Sequence, residues 1–133
     1  MMYPTISIRQ PWAELIIAHG KDVENRTWHI PFKYLNTPIL IHASKKWEVV
    51  GNLHFIHELK ACEKNTLDMG GIVGVLVFEG ENNYRASQSK WAERYAHINH
   101  WAIERAARLP FFPCKGQLGF FQVDYPHDIG FPQ

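Results

Sequence analysis

The sequence predicts a mainly β domain with short flanking helices, an α+β arrangement of about six strands forming a β-barrel whose ends the helices cover. Three observations predict it. Short runs rich in Val, Ile, Leu and Phe recur along the chain between Gly and Pro residues, the clearest being Ile72 to Glu79. Helical spacing is confined to short segments between those runs. The chain has 133 residues, 46% of them hydrophobic, which fits one domain over residues 1–133 with a real core.

Each element has its own reason. Thr5–Arg9 reads as a strand, because Ile6 and Ile8 alternate with polar residues. Pro11 suits the first turn of a helix, where a missing N–H costs nothing. Trp12, Leu15, Ile16 and His19 then recur at helical spacing, and Gly20 is the expected stop. Residues 22–28 read as extended and 31–38 as a loop. Ile39–Ala43 is a buried strand. Ser44 is placed to cap a helix that begins at Lys45 or Lys46 and runs to about Ala61. Val49, Leu53, Ile56 and Leu59 form its apolar side. Asp68–Gly71 is a turn before the strand 72–79. Residues 80–89 read as a polar, mobile loop, and Ser89 to Tyr95 as a short helix. Trp101–Leu109 is ambiguous: its Ala, Glu and Arg favour helix, whereas Trp101 and Ile103 alternate as in a strand. Pro110 and Pro113 enclose a loop, and residues 117–123 form the last strand. The tail after Asp124 wraps the surface.

Composition limits the function. A net charge of +1 argues against a broad nucleic-acid-coating surface but permits a local anion site. Five tryptophans are more than core filling explains, since Trp is large and amphipathic. Cys62 and Cys114 are the only cysteines, as in a cytoplasmic protein with free thiols. Met1–Pro4 shows no basic-then-apolar leader, and no apolar run is long enough to span a membrane. The expectation is a cytoplasmic monomer or weak dimer with no membrane partner. His54 and His57 read as three apart on a helix, as do His97 and His100, without a Cys, Asp or Glu at ligand spacing; neither a metal nor a cofactor is expected.

The densest chemistry lies just past Gly20. In an extended segment, side chains two apart share a face, so Asp22, Glu24 and Arg26 point together, with Lys21 beside them. Trp12 and Trp28 flank the cluster in sequence. One reading is an internal Glu–Arg pair that pins the corner. The other is a binding cleft, because the Arg fork matches phosphate or carboxylate. Ser44, Lys45 and Lys46, beside Trp47, form a second basic group at the expected helix start, where free N–H groups would favour phosphate. Aromatic faces beside cations hold unpaired bases. Trp12 opens an apolar helical face and reads as core, which leaves Trp28 as the better stacking residue.

Three ordered blocks carry a resemblance. They are Ser7–Ile8–Arg9–Gln10–Pro11–Trp12–Ala13, then Gly20–Lys21-x-x-Glu24-x-Arg26, then Ile41–His42–Ala43–Ser44. His100–Trp101–Ala102–Ile103 and Pro113-x-Lys115–Gly116-x-Leu118–Gly119 extend it, so that it spans roughly residues 5 to 123. In these blocks the chain resembles the ASCH-domain family. The resemblance implies a PUA-like β-barrel with Trp101–Leu109 as a strand. It also implies a cleft at Lys21, Glu24 and Arg26. Members bind or process RNA and nucleotides. Some hydrolyse the amide of N4-acetylcytidine with a Lys and, three residues on, a Thr proposed as nucleophile. Lys21 matches that Lys, whereas Glu24 stands where the Thr would be.

Three functions follow. The first is an RNA- or nucleotide-binding module for single-stranded nucleic acid or a nucleotide-like small molecule. Its site would comprise Arg9, Trp12, Lys21, Glu24, Arg26, Trp28, Ser44, Lys45 and Lys46. The second is a small hydrolase of a modified nucleoside or of RNA, with Lys21 and Glu24 catalytic and Glu24 a general base on water. The third is a protein-interaction module built on the tryptophans and the tail.

Overall fold

The computed structural model describes residues 1–48 and 66–131. Six strands form one mixed sheet: β1 (Met2–Gln10), β2 (Val23–Arg26), β3 (Pro38–Trp47), β4 (Gly71–Glu81), β5 (Asn99–Pro113) and β6 (Phe120–Asp124). Their spatial order is β2-β5-β4-β3-β1-β6. β1 and β3 run parallel, and the other neighbours are antiparallel. Among the described residues, two short helices lie between the strands, α1 (Trp12–Ala18) and α2 (Tyr84–Gln88).

The order follows from the apolar pattern. Ile39–Ala43 and Ile72–Phe78 are buried at every position, and strands apolar on both faces belong in the middle of a sheet covered on both sides. One face packs Ile6, Ile8, Ile39, Ile41, Leu76, Phe78 and Trp101 against Ala13 and Ile16 of α1. The other packs Leu40, Ile72, Val75, Leu109 and Val123 against Tyr125 and Ile129. The tail therefore supplies half of a core rather than only wrapping the surface. Tyr125 is 1% exposed, and its hydroxyl donates to the Pro110 carbonyl at 2.6 Å.

The sheet curls without closing into a barrel. Its first and last strands in spatial order, β2 and β6, share no backbone ladder among the described residues. β2, four residues long, pairs with β5 alone among the described residues. Side chains bridge the gap instead. Phe120 of β6 stacks on Tyr34 at 3.9 Å and meets Trp28 edge-on at 5.8 Å. The Arg26 guanidinium donates to the Ser7 carbonyl of β1 at 2.8 Å.

Four expectations change. Ser44–Trp47 is strand rather than a helix start, because Gln10 of β1 pairs with Trp47 and the Gln10 carbonyl accepts from Glu48 N–H at 2.7 Å. Most of the helix expected to run to Ala61 lies outside the described residues, as do His54, His57 and Cys62. The short helix falls at 84–88 instead of 89–95, because Asn83 caps it by accepting from Ala86 N–H at 2.8 Å. Ser89 is drawn away, its hydroxyl donating to Asp22 at 2.6 Å. This helix also occupies part of the stretch read as a mobile loop. Lastly, Pro110–Pro113 is strand, since β4 pairs with β5 as far as Gly71 and Pro113. Pairing with β4 likewise decides the ambiguous 101–109 stretch as strand. His97 and His100 share no helix: His100 lies in β5, where its ring contacts Ser87 Oγ and the Glu93 carbonyl.

Candidate functional site

A cleft of about 1250 Å³ opens where β1 and β3 end and β2 begins. α1 aims its floor. The helix stops at Gly20, whose φ of +76° suits glycine, and Lys21 N–H bonds back to the Leu15 carbonyl at 3.0 Å. The chain reverses, and the Lys21 side chain folds under Trp12 with Nζ 5.1 Å from the ring centre. Lys21 is 3% exposed. Its ammonium donates to the Val23 carbonyl and reaches Glu24 Oε1 at 3.5 Å. Glu24 Oε2 in turn accepts from Arg26 Nε at 2.8 Å. Lys21 and Glu24, both buried, and Arg26, half-buried, thus interlock as one network. Asp22, expected on the same face, turns outward to Arg85 at 2.9 Å and to Ser89.

The electrostatics of the floor follow from burial. Loss of hydration pushes the Lys21 ammonium below the ordinary lysine value; Glu24 and Glu93 pull it back up, and Arg26 adds to the fall. Glu93 stands on the cleft wall. Partial burial pushes its carboxyl up, Lys21 opposes this, and the charges of Glu24 and Glu48 add to it. Glu93 keeps much of its surface in solvent. Asn25 holds Glu93 there: its amide donates to the Trp91 carbonyl at 3.0 Å and its oxygen accepts from Glu93 N–H at 2.9 Å.

The rim differs. Lys45, Lys46 and Lys115 line it and are exposed, and among the described residues none has a carboxylate partner. Arg9, also at the rim, pairs with Glu48 at 2.9 Å. Among the described residues of the lining, six cations face three carboxylates, an excess that suits an anion although the chain as a whole is nearly neutral.

The structure therefore brings Arg9, Trp12, Lys21, Glu24, Arg26, Ser44, Lys45 and Lys46 to one cleft. It separates Trp28, which packs edge-on against Trp101 at 4.7 Å inside the curled sheet. Both tryptophans are half-buried against the core; Trp12 also lines the cleft, and Trp28, expected to stack on a ligand, does not. Ser44 caps no helix; its hydroxyl accepts from Lys46 N–H at 3.2 Å within β3. Sequence reasoning missed Ser7, His42, Glu93 and the 113–119 segment as lining residues. Ser7 and His42 sat inside the resembling blocks, which was their signal. Glu93 had none, because Asn25 places it across 68 positions of sequence. Cys114 is a weak nucleophile here, since burial pushes its thiol up.

A curled mixed sheet carrying a cationic cleft at one end defines a mainly β, PUA-like class of small domain. The family model described as ASCH domain matches residues 6–107, and the chain belongs to the ASCH-domain family. A variant of ZmASCH from Zymomonas mobilis, known from its crystal structure, is similar in fold: the TM-score is 0.57 at 11% identity, over 92% of this chain and 88% of that one. No curated protein matches the chain. Among the described residues, no group of His, Cys, Asp and Glu is arranged to hold a metal, and no helix is long and apolar enough to cross a membrane.

Proposed function

We propose that the cleft binds a nucleotide or a short single-stranded RNA segment. The supporting observation is the split between rim and floor. Exposed lysines with no carboxylate partner among the described residues suit phosphates at the rim. The floor offers Trp12 as an aromatic wall and Glu24 and Arg26 as fixed polar groups, a setting in which an unpaired base can be held. Lys21 and Arg26 support that floor and are not the phosphate ligands. The near-neutral net charge favours a small ligand over long RNA, and the free Cys114 thiol fits a cytoplasmic setting. Fluorescence anisotropy with labelled octauridylate and with a labelled mononucleotide tests the reading. Saturable binding that weakens several-fold in Lys45→Ala and Lys46→Ala supports it; no binding of either probe at low salt refutes it.

A second reading, hydrolysis of a modified nucleoside, draws on the lowered Lys21. A lysine made less basic by burial suits proton transfer. Glu24 still lacks the hydroxyl of the acetylcytidine hydrolases. Acetate release from N4-acetylcytidine is therefore expected to be absent, and efficient conversion to cytidine would make this the leading reading.

A further inference from the structure

Ser7 of β1 and His42 of β3 face each other across the parallel pair, in direct register. Both line the cleft, and Ser7 adjoins the floor, its carbonyl accepting from Arg26 at 2.8 Å. Ser7 Oγ is 3.2 Å from His42 Nδ1. His42 Nε2 is 2.7 Å from the Cys114 carbonyl. A carbonyl only accepts, so Nε2 carries the hydrogen and donates it. In the neutral ring, Nδ1 is then left with its lone pair, and it accepts from the Ser7 hydroxyl. His42 is 3% exposed, and Phe121 packs edge-on at 5.9 Å, so the ring's orientation is fixed. These are a nucleophile, its base and a group that orients the base, the relation found in acyl-transfer sites.

The segment above the pair completes the arrangement. Gly116 passes so close that a Cβ there would lie 2.8 Å from Ser7 Oγ and 2.7 Å from His42 Cε1. Only glycine fits without displacing the pair. Among the described residues, the backbone N–H groups of Lys115 to Gly119 donate to no group of the protein, and this segment lines the cleft. Free N–H groups beside a nucleophile can receive a developing oxyanion.

We propose that Ser7 and His42 form a hydrolytic pair acting on carboxylic esters that carry an anionic group. The anion is held by the rim lysines, so the inference rests on the reading of the cleft as an anion-binding ligand site. The Ser7 hydroxyl oxygen bonds to the ester carbonyl carbon, and its proton moves to His42 Nδ1. The carbon–oxygen bond to the alcohol breaks, and the alcohol departs with that proton. Water then adds to the acyl carbon and gives a proton to Nδ1; the Ser7 oxygen leaves and takes the proton back. The products are a carboxylic acid and an alcohol, and no further reactant is needed. Esters suit a pair without a carboxylate third member, because an alkoxide leaves more readily than an amine.

The test treats the full wild-type chain with a fluorophosphonate probe and maps the adduct by mass spectrometry. One adduct on Ser7 is expected. It should vanish in Ser7→Ala and form at least tenfold more slowly in His42→Gln, with unchanged circular dichroism. With p-nitrophenyl succinate, Ser7→Ala should lower kcat/KM by about 10²-fold or more, the usual scale of base-assisted attack. The uncharged p-nitrophenyl butyrate should react at least tenfold more slowly than the succinate. An unmodified Ser7 in folded wild-type protein overturns the inference, and needs no variant to read. Labelling that His42→Gln leaves unchanged also overturns it. Equal rates on the two esters overturn the substrate class. Excess octauridylate distinguishes the two readings of the cleft: Ser7 labelling that it does not slow refutes nucleic-acid binding while the pair stands, and bound octauridylate with no Ser7 labelling does the reverse.

Discussion

The floor and the rim of the cleft hold the same residue types and use them differently. Buried Lys21 and half-buried Arg26 are locked onto Glu24, whereas Lys45, Lys46 and Lys115 stand in solvent with no carboxylate partner among the described residues. A buried cation must be paired, so its charge is consumed inside the protein. An exposed one keeps its charge for a ligand. Burial rather than residue type therefore decides which cations recognise and which hold the fold.

The comparison breaks most sharply at Glu24. Glu24→Ala leaves Lys21 buried without its carboxylate and should cost about 3–5 kcal/mol of stability, the scale for breaking a buried pair. Urea denaturation measures it; a loss below about 1 kcal/mol would mean that the floor is not a network. Arg26→Ala removes charged hydrogen bonds to Glu24 and to the Ser7 carbonyl. Its expected cost is about 1.5–3 kcal/mol, with weaker octauridylate binding as a secondary effect. If affinity falls and stability does not, Arg26 belongs with the rim. Rim substitutions should do the opposite. Lys45→Ala and Lys46→Ala should each change stability by less than about 0.5 kcal/mol while weakening binding.

The pH dependence sharpens the contrast further. Lys21 is lowered in the folded state, so the unfolded chain binds more protons between that lowered value and the ordinary one. Stability should therefore rise with pH through that window. Lys21→Met should remove the rise. Glu93 is raised in the folded state, so its contribution is present at low pH and is lost as pH climbs through its folded value; Glu93→Gln should remove that smaller fall. Denaturant midpoints measured across pH report both.

Local signals were legible and long-range ones were not. The Ile6 and Ile8 alternation, the helical face from Trp12 and the stop at Gly20 each depend on neighbours, and each is observed. Ser44–Trp47 failed as a helix start because its partner, Gln10, lies far off in sequence. Trp28 missed the cleft for the same reason: the sheet curls to bring Phe120 against it, and no local pattern encodes that curl. The basic cluster at 21–26 was visible as a group. Its role as supporting floor, with Lys45, Lys46 and Lys115 as the exposed rim, was not, because burial emerges only once β2 pairs with β5.

The salt dependence of octauridylate binding tests the central claim most directly. Wild-type protein and a Lys45→Ala, Lys46→Ala, Lys115→Ala triple variant are titrated from low to moderate salt. Each lysine that contacts a phosphate contributes about 0.7 to the slope of log K against log salt for a single strand. The account predicts a slope shallower by about 2 in the triple variant, with an unchanged urea midpoint. An unchanged slope with intact folding would contradict it and return the ligand to the floor.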